Sequence, residues 1–350
     1  MDIPPGLGCG NYRIRAYTNW MKNYDNEFFY DKSIEVFNVN DDHYASLSGK
    51  TKDIEFDVQF FPESGNMVHN ITSQVAFKAI DQYGKGVDIE GKILNSEGKT
   101  VVDFKNRHDG MGSFFINPQI NQGYRAIAKY GKVEKEFEFP EVHTSGYVLT
   151  VNNLKDRNIQ VMIKNSPPVE EVEVYLIAQA RGIIYHREKV ELKRGAGVIS
   201  IPKSKFPDGI AQLTLFNMQG IPLCERLVFI NSYQSIVASV KTENEVIDYR
   251  EKISLNIQVK DQYGKAVRNT PFSMAVTDAG HFIKKETSED IKSNLLLTSD
   301  LKGYISDPGY YFMNDDRDTK IASDLLMLTH GWRRFTWQQI REGAIGNVTY

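Results

Sequence analysis

Among residues able to do chemistry, Cys9 stands out, in the stretch GLGCGNYRIRAYTNW at positions 6–20. A cysteine and a glutamine three residues on can close into an internal thioester, a latent acylating electrophile. The glutamine carboxamide supplies the acyl carbon, and here the third residue on is Tyr12, which has no carboxamide. The following YRIRAYT alternates as a strand, so Cys9 reads as a turn residue at a strand entrance. The second cysteine, Cys224, falls in what reads as a different domain. Two such cysteines make neither a disulfide framework nor a CxxC metal site.

Other chemistry-bearing patterns fail one at a time. The seven histidines, at 43, 69, 108, 143, 186, 281 and 330, are scattered singly, with no HExxH or other zinc spacing. GMGSFF at 110–115 lacks the closing glycine of a nucleophile elbow and sits between strands. SGKT at 48–51 ends like a phosphate loop, but the first glycine should fall at Tyr44, and a strand-like DIEFDVQF follows where a helix is required. Asp315, Asp316 and Asp318 could hold calcium through carboxylate oxygens. They read better as a solvated loop placing negative charge near a helix N-terminus. Catalytic, cofactor and metal sites are therefore expected to be none.

One stretch remains as a candidate interaction surface: GWRRFTW, with Trp332, Arg333, Arg334, Phe335 and Trp337. Base stacking on it would need a wider basic surface. Burial of Trp332 and Phe335 against a sandwich, with both arginines toward solvent or carboxylates, is the preferred reading. A partner-binding role for the same residues is the alternative. Tyr83 and Tyr263, if exposed, could be stacking platforms for a glycan or peptide, but they recur at the same turn, which favours structure.

The chain of 350 residues is 41% hydrophobic and 25% charged with net charge −3, enough for two or more cores. That near balance gives no electrostatic reason to expect nucleic acid or an anionic membrane surface. No run of about 18 apolar residues occurs. The N-terminus MDIPPGLGCG has neither a basic start nor an apolar stretch, so no signal peptide is expected within this sequence, and for an exported protein the signal is expected upstream of it.

The elements that must position any site are strands. IEFDVQF, ISLNIQV, VEVYLIA, VEKEFEF and YRIRAY alternate with period two, between Gly, Asn, Asp and Pro turns. Many short antiparallel strands predict an all-β chain of sandwiches. DQYGK occurs twice, at Asp81 and Asp261, 180 residues apart, which is twice roughly 90 residues, an ordinary sandwich size. GNYRIRAY, GYRAIAKY and GIAQLTLF each open a strand on Gly and precede a closing strand, as one terminal hairpin used three times.

The expected map is a closing hairpin of a truncated sandwich at 1–40 and sandwiches of seven or so strands at 53–142, 145–232 and 234–313. An acidic loop and a C-terminal helix follow at 314–350. That helix would carry Leu325, Leu328, Trp332 and Phe335 on one face, with Ser323 as N-cap and Gly343 as stop.

Several stretches together resemble macroglobulin-like (MG2-type) modules of large exported proteins of Bacteroidetes-type bacteria, of the kind that precede TonB-dependent receptor plug regions. They are GNYRIRAYTNWMKN, FDVQFFPESGNMV, VAFKAIDQYGKGVDIEGKI, GMGSFFINP, CERLVF, YREKISLNIQVKDQYG, SDLKGYISDPGYYF and LLMLTHGWRRFTW. The ordered set covers most of the chain. The resemblance implies tandem fibronectin- or immunoglobulin-like sandwiches, a periplasmic or surface location associated with the outer membrane, and no catalytic residues. It makes a non-catalytic spacer or interaction arm the expected function, with other domains of a longer chain or a receptor as protein partner. Glycan or peptide binding is the alternative. A proteinase-trapping macroglobulin role lacks both the thioester and a long bait loop.

Overall fold

The structure, a computed structural model, describes residues 7–8, 10–23, 29–36, 38, 55–82, 84–155, 157–166, 173–232, 236–243, 248–261, 263–274, 276, 285–301 and 303–331. It is all-β, built of tandem fibronectin-like sandwiches with a short C-terminal helix.

The first strands, β1 (Gly10–Ala16) and β2 (Tyr30–Val36), form an antiparallel pair with Tyr12 opposite Ile34. The first sandwich comprises β3 (Phe56–Pro62), β4 (Met67–Val68), β5 (Ser73–Asp81), β6 (Glu90–Asn95), β7 (Thr100–Lys105), β8 (Met111–Ile116), β9 (Tyr124–Tyr130) and β10 (Val133–Glu138). Sheet β3-β5-β8 faces sheet β10-β9-β6-β7. Phe56, Phe77, Ile93, Phe104 and Phe114 fill the space between, and the Phe56 ring meets Tyr130 and Phe137 of the closing hairpin at 5.9 and 5.5 Å. Burial of these aromatics is the main stabilising term of the unit.

Strand β11 (Val142–His143) pairs parallel with β4 and leads into the second sandwich. That sandwich comprises β12 (Tyr147–Asn152), β13 (Asn158–Asn165), β14 (Glu173–Ala180), β15 (Ile183–Glu191), β16 (Ala196–Pro202), β17 (Gly209–Phe216) and β18 (Pro222–Ile230). Sheets β12-β13-β16 and β15-β14-β17-β18 repeat the three-plus-four division of the first unit. Strand β14 buries every second residue, as alternation predicts for a sheet with one face on the core. Leu149, Ile163, Leu176, Ile201 and Leu213 are fully buried between the sheets. Where a closing hairpin is expected from Gly10, Gly123 and Gly209, antiparallel pairs β1–β2, β9–β10 and β17–β18 stand.

Within 234–313, where a third sandwich is expected, part of the chain lies outside the described residues. Those described form two strands, β19 (Val237–Thr242) and β20 (Leu255–Lys260), and two short helices, α1 (Ile291–Leu296) and α2 (Tyr310–Met313). Asp290 and Ser293 start α1 with reciprocal side-chain caps. Leu297, Leu301, Ile305 and Tyr311 then bury against the first two sandwiches, so this stretch serves a neighbouring core.

Helix α3 (Arg317–Thr329) is capped by Asp316, whose side chain accepts from the Thr319 N–H at 2.8 Å. Ser323, expected as the N-cap, lies buried inside the helix and donates to the Thr319 carbonyl at 2.8 Å. The helix starts about two turns earlier because Asp316 is the better-placed acceptor and the apolar stripe extends back to Ala322. Leu325 and Leu328 are buried as expected. Trp332, Phe335 and Gly343 lie outside the described residues.

Candidate functional site

Three bodies meet at one buried ion network. Glu63 follows β3 in a tight turn whose Ser64 takes a positive φ of 63°, which aims both side chains into the second sandwich. Glu63 Oε1 accepts from the Val151 N–H at 3.0 Å, and Ser64 Oγ accepts from the Leu149 N–H at 3.0 Å. These bonds satisfy two backbone donors of β12. Arg226 on β18 donates its Nε–H to Glu63 Oε1 at 3.1 Å and an Nη2–H to Asp324 Oδ1 on α3 at 2.7 Å. Its Nη1–H donates to the Leu227 carbonyl at 2.6 Å.

Glu63 and Arg226 are almost wholly buried, and Asp324 is half-buried. Burial pushes the Glu63 carboxyl above its ordinary range, and the Arg226 charge offsets only part of that. Burial disfavours the Arg226 charge, but Asp324 and Glu63 outweigh it and hold the guanidinium above its usual value. A buried charge set of this kind fixes geometry more than it adds stability.

An apolar core surrounds the network. Met111 of the first sandwich, Leu227 and Phe229 of the second, and Leu325 and Leu326 of α3 belong to one cluster. Thr329 Oγ1 lies 3.1 Å from Met111 Sδ and donates to the Leu325 carbonyl at 2.9 Å. Beyond the helix, a Cβ on Gly331 would fall 2.5 Å from the Met327 carbonyl oxygen and 2.6 Å from Leu227 Cδ1. Only glycine permits that approach without a shift.

A second polar patch joins the first sandwich to the α2 region. Lys78 donates to both the Asp109 carbonyl and its carboxylate, at 2.6 and 2.7 Å. His108 stacks on Tyr310 with ring centroids 4.3 Å apart, and burial holds its imidazole below its ordinary pKa. Asp307 accepts from Lys285 at 2.7 Å and from Thr287 at 3.0 Å. The Lys285 bond, foremost, lowers the Asp307 carboxyl. These groups tie loops together, and no nucleophile stands among them beside a base.

The three candidate calcium carboxylates take separate tasks. Asp315 pairs with Lys320 at 2.8 Å, Asp316 caps α3, and Asp318 pairs with Arg107 at 2.7 Å. Among the described residues no group of three His, Cys, Asp or Glu is placed to hold a metal ion. Cys224 is a free thiol, and burial pushes it far above the usual thiol range, which keeps it unreactive. Tyr263 is largely exposed in its turn, whereas Tyr83 lies outside the described residues. Cys9, Trp332, Arg333, Arg334, Phe335 and Trp337 also lie outside them. Sequence reasoning misses the Glu63–Arg226–Asp324 network. Its members are far apart in the chain, and the FPESG turn after β3 is the one local signal.

No family model matches the chain, and no curated protein sequence does. Solved structures that it resembles include the native conformation of E. coli α2-macroglobulin, at 14% identity over 60% of this chain and 17% of that one, with a TM-score of 0.20. Another is the bacterial integrin-binding protein invasin, at 11% identity over 62% of this chain and 48% of that one, with a TM-score of 0.24. Domains 4–9 of the surface layer protein SbsC give 12% identity over 74% and 42% of the two chains, with a TM-score of 0.30. The chain thus spans under half the length of each, and superpositions this loose carry no argument about it. No helix among the described residues is long and apolar enough to cross a membrane.

Proposed function

We propose that this chain is a non-catalytic, extracytoplasmic interaction arm that works by holding binding surfaces at a fixed distance and orientation. Its context would be an outer-membrane receptor-like protein of the TonB-dependent kind, in keeping with the motifs from GNYRIRAYTNWMKN to LLMLTHGWRRFTW. The observation that carries the reading is the junction. Glu63, Arg226 and Asp324, with the shared core around Met111 and Leu326, lock two sandwiches and α3 together. A flexible tether has no use for a buried charge network between its domains, because domain motion is the default across small polar interfaces.

In cells carrying the protein in its natural context, deletion of residues 53–313 should leave the anchored remainder folded while cargo capture or delivery falls. Unchanged capture would remove the arm role. Turnover of any substrate by the purified chain, abolished by one point substitution, would overturn the non-catalytic reading.

A ligand-binding reading has one observation in its favour. At the end of the β1–β2 pair, Tyr17 stacks on Phe29 at 4.4 Å beside exposed Trp20 and Tyr30, with Lys22 over the Tyr17 ring. Aromatic faces beside cations suit a glycan or peptide. A glycan array probed with the purified chain, with Trp20→Ala as control, separates the two readings.

A further inference from the structure

The buried junction carries an excess of negative charge. Glu63 comes from the turn after β3, Arg226 from β18 and Asp324 from α3, so three bodies supply two carboxylates and one guanidinium. Asp324 keeps 17% of its side chain exposed, where water screens it, whereas Glu63 is 0% exposed. The uncompensated charge is tolerated at the rim and costs most at the centre.

The two Glu63 oxygens differ. Oε1 accepts from the Val151 N–H at 3.0 Å and from the Arg226 Nε–H at 3.1 Å. Oε2 is buried and has no hydrogen-bond partner among the described residues. A carboxylate spreads its charge over both oxygens, so half of it stands at an atom without a donor. A neutral acid divides the roles: its carbonyl oxygen accepts and its hydroxyl carries the proton. With the proton on Oε2, both bonds at Oε1 survive, and the set becomes one cation, one anion and one neutral group. A hydroxyl without a partner costs less than a buried charge without one.

The surrounding groups leave that balance standing. The Glu63 turn packs on β5, β12 and β18. On β5, Lys78 is held by Asp109, and Asp81 accepts within its own turn. On β12, Tyr147 packs against the second core. On β18, Cys224 is a buried neutral thiol, and Glu225 adds no cation. On α3, Lys320 pairs with Asp315 and Asp318 with Arg107, and Arg317 lies about two turns before Asp324. Burial, foremost, pushes the Glu63 carboxyl above its ordinary value; Arg226 is the cation that opposes this, and Asp324 is the anion that adds to it.

We propose that Glu63 takes up a proton when the two sandwiches and α3 close on one another, which makes the junction a lock that tightens in mild acid. This inference goes beyond the arm function and holds or fails independently of it. When the bodies part, Glu63 enters water and its carboxyl returns to about 4.5. The closed state therefore binds the proton more readily than the open one. The gain from closing is fully present below that ordinary value and is lost as pH rises through the higher closed-state value. An ordinary ion pair between the same groups has the opposite sign.

The test compares the whole chain with Glu63→Gln, whose carboxamide copies the neutral acid: its carbonyl oxygen accepts both bonds, and nothing titrates. Hydrogen exchange of the Arg317–Thr329 amides is followed in both proteins from about pH 8 to about pH 5. The readout is the ratio of wild-type to variant rates, in which the intrinsic pH dependence and the other carboxyls cancel. As pH falls, the wild type gains protection on the variant by up to about tenfold per pH unit, the limit for one proton. Difference infrared spectroscopy of the wild type in mild acid shows the carbonyl band of a buried protonated carboxylic acid, and Glu63→Gln lacks it. A rate ratio that stays constant or moves the other way overturns the proposal, because Glu63 is then unlinked to closure or an ordinary ion-pair partner. So does a mild-acid spectrum from which the substitution removes no protonated-acid band. Failure of the variant to fold in mild acid, where the two proteins should match, overturns it as well.

Discussion

The Arg226 guanidinium reaches Asp324 across 2.7 Å, joining the last strand of the second sandwich to helix α3, while its Nε–H holds Glu63 of the first sandwich. One side chain therefore touches all three bodies.

Arg226→Met should cost about 3–5 kcal/mol, because it strands a buried Glu63 without its cation. Adding Glu63→Gln should recover much of that loss. Urea denaturation of the two variants checks both statements. A single-variant cost under about 1 kcal/mol would mean that water already reaches the network.

Gly331→Ala should loosen α3 from the second sandwich, since its Cβ would press on Leu227 and the Met327 carbonyl. Overpacking of this kind costs about 1–3 kcal/mol. Hydrogen exchange should report faster opening in Arg317–Thr329 while strands of the second core stay protected.

The two DQYGK turns should respond differently to one substitution. Gly84 and Gly264 have the same positive φ, and open space lies where a methyl group would stand, so alanine strains each backbone by about 1–2 kcal/mol without a clash. Gly84 closes a strand of a packed sandwich, and Gly84→Ala should lower the melting temperature. Gly264→Ala should leave it unchanged, because no β19 or β20 side chain joins a core cluster among the described residues.

The Asp316 cap gives a signed pH dependence. The Thr319 N–H bond holds its carboxyl below the ordinary aspartate value, so the folded state binds its proton less readily than the unfolded chain. Its contribution is then fully present above the unfolded pKa of about 4 and is lost as pH falls through the lower folded value. Asp316→Asn should therefore separate from wild type in melting temperature at neutral pH and converge with it in strong acid. A gap that widened toward low pH would reverse the assigned sign.

Methylamine should neither add mass to the chain nor release a thiol, since Tyr12 occupies the place where a thioester needs glutamine. Mass spectrometry before and after treatment decides it.

Alternation and turn residues alone determined the strands, because side-chain period and positive-φ glycines act over a few residues. YRAIAKY, EVYLIAQA and LNIQVK became β9, β14 and β20, and DQYGK became the same turn at Asp81 and Asp261. Burial was not legible in this way. Ile257 carries the pattern of Phe77 but not its surroundings, since a core needs a second sheet that local pattern cannot supply. The helix cap stands at Asp316 rather than Ser323 for a related reason, as both are good caps and packing on Leu227 and Phe229 selects where the helix lies. Nor could the string place Glu63 beside Arg226, 163 residues on. A lone glutamate in a turn and a lone arginine in a strand carry no local signal of burial. Only when the second sandwich folds back over the turn after β3 do they lose water together and need each other.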